Sequence, residues 1–365
     1  MTQMADQQIH GEVAPGFEPL RDALAGLQVP GAALAVEVGG EPVADLWSGP
    51  GWERDSIVHL FSGSKPMPAL CVLRLIDAGR LGLDDRVTSV WPEYGAAGKQ
   101  DTTVRHLLSH QSGMVGFAAP QPVEVLLDWD RCIAQIEAEP PEWPPGAQHA
   151  EHALLYGHLL GELVRRIDGR SVRRFFREEL AEPLGLDIHI GIDDAATGAR
   201  VADVEDPGGR WRAQLDDAGE LMRRALENPP GLMIPEVVNG AAWRGAEIPA
   251  VNVHASARAL ARLYTGLARG GELDGVRILS EDLLAESRRV QARGVDAFFG
   301  MEVHYGLGWR LDGGPFELAD FGYGGIGGTV AFADPARGVA FAFVTRSLGG
   351  FDRAMALEQA LRPLL

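Results

Sequence analysis

Residues 59–85 read HLFSGSKPMPALCVLRLIDAGRLGLDD and set two serines and a lysine at the mouth of a long apolar run. Pro66 in a first turn and Gly79 beyond the last apolar residue mark the ends of a helix, with Ser62 at its N-terminus. Ser62-Gly63-Ser64-Lys65 fits the pattern Ser-x-x-Lys. Residues three apart share a helix face, so a hydroxyl at 62 and an amine at 65 can come within hydrogen-bonding reach. The helix N-terminus favours developing negative charge. This is an arrangement that activates a nucleophile. The four letters alone also describe a solvated first-turn lysine, so the rest of the chain has to decide.

Outward from this stretch, GFEPLRDALAGLQ (residues 16–28) has helical spacing. VPGAALAVEV and EPVADLWSG alternate as two strands joined at Gly39-Gly40. Helical periodicity then runs through 62–78, 103–109, 153–167, 171–181 and 256–270. Strand patterns return in YGLGWRL, FELADFGYGG, GTVAFADP and GVAFAFVTRS, before a closing helix in DRAMALEQALRPLL. Both ends are sheet-like and the middle is helical. The expected fold is therefore α/β of the α+β type: one antiparallel sheet built from both termini, flanked by the terminal helices, with an inserted all-α lobe. Residues 1–61 and 290–365 form the expected sheet lobe and 62–289 the helical lobe, with the site in the crevice between them.

The 365 residues allow about two folding units at roughly 150 residues each. Thirty-three basic against fifty-one acidic side chains leave a formal charge of −18, which repels phosphate backbones and anionic membrane surfaces. Nucleic acid and membrane are not expected partners. No basic stretch followed by an apolar one opens the chain, and no segment offers about eighteen uninterrupted apolar residues, so a cytoplasmic setting is expected. Cys71 and Cys132 are too few for a disulfide framework and read as small buried side chains.

From Ser62 through RLGLDDRVTSVWPEY to TTVRHLLSHQSGM, the chain resembles the serine β-lactamase-like family: class C β-lactamases, DD-peptidases and family VIII esterases. PPGAQHAEHALLYGHLLGELVRRIDGRS, AEPLGL, IPAVNVHASARALARLYTGLARGGEL, YGLGW and FGYGGIGGTVAFADP follow in that family's order, so the resemblance covers residues 20 to 360. It implies the two-lobe fold, with Ser62 as the acylated nucleophile and Lys65 as its proton-transfer partner. It also implies an oxyanion hole from the backbone N–H groups of Ser62 and Ile326, the latter after the Tyr323-Gly324-Gly325 strand motif.

Two positions depart from the family pattern. Many members carry a tyrosine in the segment after Pro145-Gly146, where this chain has Glu151. A carboxylate there favours the ammonium form of Lys65 and can itself accept the serine proton, or it can simply pair with Lys65. The next tyrosine, Tyr156, reads as an aromatic packing residue and is grouped with Tyr323, Gly324 and Gly325 on the substrate side. At the strand motif, Tyr323 replaces the usual cation or imidazole, which points to a neutral or differently shaped substrate, or to a tyrosine that only fills the cleft wall.

Rival constellations are weaker. His149, Glu151, His152 and His158 lack the His-Glu-x-x-His spacing of a metal site, and His110 in LLSHQSG reads as packing or capping. No serine stands in Gly-x-Ser-x-Gly, and GYGGIGG lacks the context of a dinucleotide loop. The expectation is an enzyme without cofactor or metal: a serine acyl-enzyme hydrolase or acyltransferase. Its partners would be a small-molecule ester or activated amide and, for transfer, an amine or alcohol acceptor. The alternative is a non-catalytic ligand-binding member of the same fold.

Overall fold

A computed structural model describes residues 8–311, 316–317 and 320–365. Its main element is an eight-stranded antiparallel sheet. In spatial order the strands are Ile9–Val13, Glu41–Ser48, Ala32–Val38, Val339–Thr345, Val330–Asp334, Phe321–Gly324, Arg310–Leu311 and His304–Tyr305. Both ends of the chain thus meet where Ala32–Val38 pairs with Val339–Thr345, in a register that sets Val36 opposite Phe341. Of the stretch FELADFGYGG only Phe321–Gly324 is strand, and residues 318–319 lie outside those described.

The two central strands show why the sheet is covered as it is. Side chains alternate across a strand, so VAFAD and VAFAFVT send Phe332, Phe341 and Phe343 to one face and Ala331, Ala333, Ala340 and Ala342 to the other. The phenylalanine face packs under the terminal helices Pro19–Gly26 and Asp352–Leu361, with Leu20, Leu24, Leu357 and Leu361 fully buried against it. Phe332 and Phe341 stack across strands with centroids 4.8 Å apart. The alanine face belongs to the larger core, where helix Ala257–Ala268 lies across Val330–Asp334, Val339–Thr345 and Ala32–Val38.

That helix marks a difference from the expected lobe boundary. Although it falls within 62–289, it covers the sheet, because a row of alanines lets a helix approach closely. The middle of the chain also contains strands. Ile188–Ile190, Val253–Ala255, Ile57–His59 and Val201–Ala202 form a second, four-stranded sheet. Pieces of two or three residues are too short to show a period of two, which is why the region reads as helical throughout. The other expected helices form close to their sequence positions: Pro66–Asp77, Val104–Leu108, Tyr156–Asp168 and Val172–Phe176.

Candidate active site

The short strand Ile57–His59 leads into a 3-10 turn, Phe61–Ser64, and then into the helix Pro66–Asp77. Ser62 therefore stands in the turn before the α-helix, not at its first residue. Proline begins the helix because its missing N–H has no partner to lose there. Nearly the whole helix is buried, Pro66 through Leu73 included, as befits a segment apolar on all sides. Phe61 takes φ +50, a left-handed backbone that costs on the order of 1–3 kcal/mol for a residue with a side chain. Val253 holds the turn from both directions. Leu60 N–H donates to its carbonyl at 2.9 Å, and its N–H donates to Ser64 Oγ at 3.0 Å. The second serine is thereby used up as a fastener, while Ser62 stays partly open to solvent.

Lys65 Nζ donates to Ser62 Oγ at 2.8 Å and lies 2.9 Å from Glu151 Oε1. Ser62 Oγ in turn donates to Glu151 Oε1 at 3.1 Å. The lysine and glutamate side chains are only 0% and 4% exposed, so the pair is removed from water. Burial pulls the proton affinity of Lys65 below its ordinary value, and the charge and hydrogen bond of Glu151 oppose that pull. An ammonium has no lone pair to accept a proton. With Lys65 charged, the serine proton is directed at the carboxylate.

Glu151 is fixed from outside its own segment. His110, with φ +62, accepts Ala150 N–H on its carbonyl at 3.1 Å and His152 N–H on Nδ1 at 3.1 Å, so it grips both neighbours of the glutamate. Burial, then the nearby His152 and Lys65, depress the His110 pKa well below the usual value, and the ring is neutral. Since Nδ1 accepts, the ring proton sits on Nε2, which donates to Tyr323 Oη at 3.2 Å. Tyr323 Oη then donates to Glu151 Oε2, also at 3.2 Å. The phenol keeps its proton, its pKa raised well above the usual value chiefly by burial and next by the charge of Glu151. The Lys65 ammonium lies 5.6 Å over the Tyr323 ring.

The strand Phe321–Gly324 ends against the Ser62 turn. A Cβ on Gly325 would lie 2.1 Å from Leu60 O and 3.2 Å from Gly63 N, so only glycine permits this approach. Neither Ser62 N–H nor Ile326 N–H donates to a protein acceptor among the described residues. Both border a cleft of about 270 Å³, shared with Glu151, Arg310, Gly324 and Gly325. Its remaining walls are apolar: Trp211, Leu215, Met222 and Leu226 from the middle of the chain, Phe298 and Phe299, and Phe351.

The family model named Beta-lactamase matches residues 18–363, almost the full chain. The chain belongs to the β-lactamase family. Among its relatives, the "Esterase/beta-lactamase LipL" of Mycobacterium tuberculosis is 36% identical, with 94% of this chain and 84% of that protein covered. A solved family VIII carboxylesterase superposes with a TM-score of 0.90 at 32% identity, covering 98% of this chain and 100% of that one. A penicillin-binding protein homologue from Caulobacter crescentus gives 0.87 at 35% identity over the same shares. The expectations of a serine β-lactamase-like enzyme and of the β-lactamase/transpeptidase fold agree with this membership.

Within this β-lactamase-family chain, the structure brings together Ser62, Lys65, Glu151, Gly324, Gly325 and Ile326. Tyr323 stands behind Glu151, not in the cleft lining. Tyr156 is not on the substrate side: it is fully buried, its hydroxyl donates to Leu108 O at 2.9 Å, and its ring stacks on His110 at 4.4 Å. His110 does more than pack. Its bracing of Glu151 had no sequence signal, because it depends on a left-handed backbone and on contacts some forty residues away. His152 Nε2 lies 3.1 Å from Ser112 Oγ and His158 packs on Trp129, and among the described residues no group of three or more His, Cys, Asp or Glu could hold a metal ion. Cys71 and Cys132 are free and buried, and burial pushes both thiols up. No described helix is long and apolar enough to cross a membrane. The aromatic walls from residues 298–299 and 351 escaped the sequence reading because nothing local ties those segments to Ser62.

Proposed function

We propose that the protein is a serine-dependent esterase that works through an acyl-enzyme on Ser62. The observation that carries this reading is a single hydroxyl that accepts from Lys65 at 2.8 Å and donates to Glu151 at 3.1 Å, beside two unengaged backbone amides in an apolar cleft.

In this mechanism Glu151 takes the Ser62 proton as Oγ adds to the carbonyl carbon of an ester or activated amide. The carbonyl oxygen gains the negative charge and receives the N–H groups of Ser62 and Ile326. Collapse breaks the bond to the leaving group, which takes the proton from Glu151. A water, or an alcohol or amine acceptor, then attacks the acyl-serine. It passes its proton to Glu151, which returns it to Ser62 Oγ as the acyl–oxygen bond breaks. Lys65 stays an ammonium throughout. It orients the serine oxygen and stands 2.9 Å from the carboxylate as its ion-pair partner. Tyr323 and His110 position Glu151 without touching substrate.

The cleft volume and its aromatic walls suit a compact, largely apolar acyl donor. Exposure to a simple aryl ester followed by intact-mass measurement tests the reading. A mass increase equal to the acyl group, absent in Ser62→Ala, supports it. A folded protein that neither gains the adduct nor releases the phenol contradicts it. Adding an amine or alcohol acceptor separates hydrolysis from transfer, since only a transferase diverts the acyl group to the acceptor.

A further inference from the structure

Arg353 stands in the first turn of the terminal helix Asp352–Leu361, two residues beyond the wall residue Phe351, and is itself outside the lining of the cleft. One nitrogen of its guanidinium, Nη2, donates to two carbonyl oxygens, that of Gly327 and, at 2.9 Å, that of Ser347. The last helix is thus tied to the glycine-rich turn that follows the strand Phe321–Gly324.

That turn is Gly325-Ile326-Gly327-Gly328. Gly328 N–H donates to Gly325 O at 3.1 Å, and Gly327 takes φ +91, the left-handed value that a type II turn asks of its third residue. Gly325 N–H closes the base on Thr329 O at 2.7 Å. A trans peptide unit sets its C=O and N–H on opposite sides, so fixing one fixes the direction of the other. Two such units join Arg353 to the oxyanion donor. In the first, the guanidinium holds Gly327 C=O while Gly328 N–H holds Gly325 O. In the second, Gly325 C=O is turned into the turn, so Ile326 N–H is turned out of it, at a residue that borders the cleft. A cation at the carbonyl end of a hydrogen-bonded chain polarises every bond along it in the same sense. The N–H at the other end becomes more positive and better suited to an oxygen that gains negative charge.

We propose that Arg353 is a positioning residue of the oxyanion hole: through Gly327 and Gly325 it aims and polarises the Ile326 N–H without touching substrate. This inference rests on the esterase reading, in which that N–H receives the carbonyl oxygen.

The test has a kinetic and a spectroscopic arm. Sulfur accepts hydrogen bonds more weakly than oxygen, so a thionoester draws less on an oxyanion hole than the matching ester. In Arg353→Met, kcat/KM for an aryl ester is expected to fall by about tenfold or more, through kcat and with KM near the parent value, while the aryl thionoester changes by less than about threefold. Arg353→Lys keeps a charged donor without the planar fork and should recover part of the loss. Should Arg353→Met fail to fold, Arg353→Gln, which removes the charge and keeps a donor, takes its place. In a folded variant, equal losses for ester and thionoester, or no loss for either, overturn the proposal. In the second arm the amide resonance of Ile326 is followed in 15N-labelled protein. An upfield proton shift in Arg353→Met that is partly reversed in Arg353→Lys supports the proposal even if Ser62 never acylates. An Ile326 resonance that stays in place in the folded variant overturns it. A parent protein that turns over neither ester overturns only the esterase reading, and the Ile326 resonance then decides.

Discussion

The turn that carries Ser62 and the segment that carries Glu151 converge on one hydroxyl, yet they are held by different means. The turn is shaped by its own residues and pinned to one strand. Phe61 takes a left-handed backbone, Pro66 starts the helix, and Ser64 fastens the loop to Val253. The glutamate segment has no regular structure of its own around 151 and borrows its order from His110 and Tyr323, which reach it from elsewhere in the chain. A nucleophile shaped by its own turn and pinned to one strand, and a base held only by residues from elsewhere, should respond differently to substitution and to pH.

The largest effect should come from titrating the contact between the two regions. The folded-state pKa of Lys65 lies below the ordinary 10.5 because burial disfavours the ammonium. The ion pair with Glu151 favours the charged form, which is lost as pH rises through that lowered value. If the ammonium is required, acylation falls on the alkaline side, by up to about tenfold per pH unit beyond the lysine's titration. A rate that climbs through the same range would instead make the neutral amine the base. The next effect is on the glutamate side. Tyr323→Phe removes a hydrogen bond to a buried carboxylate and should lower kcat about tenfold, with little change in KM. A change confined to KM would place the phenol on the substrate. The smallest effect on activity is expected at Ser64→Ala. It leaves Val253 N–H unpaired and buried, so the protein should lose about 1–3 kcal/mol of stability in denaturant titration while acylation stays within a few-fold. Loss of acylation with unchanged stability would mean that the two serines have exchanged roles.

The same contrast explains what the sequence disclosed. Alternation in VAFAD and VAFAFVT made the central strands legible, because sheet burial writes itself at a period of two. Ser62 and Lys65 were legible because one helical turn separates them. Glu151 was legible only by its place after Pro145-Gly146, and its partners were not, since His110 acts through a backbone angle and Tyr323 through a strand register. Strands of two or three residues, such as Val201–Ala202, carry no period at all. Tyr156 read as an aromatic packing residue although it was grouped with the substrate side, and its helix does turn it inward toward His110 and Leu108. Arg310 and the aromatic walls are set beside Ser62 by the sheet and by loops, which no short window contains.

Central to this account is that the carboxylate at 151 receives the serine proton. The direct measurement is the pre-steady-state acylation rate of Glu151→Gln with an aryl ester, in protein whose far-UV circular dichroism and melting midpoint match the parent. The amide keeps the size of the side chain and removes the base, so the rate should fall by about a hundredfold or more. A rate within threefold of the parent would contradict the account and return the proton to Lys65.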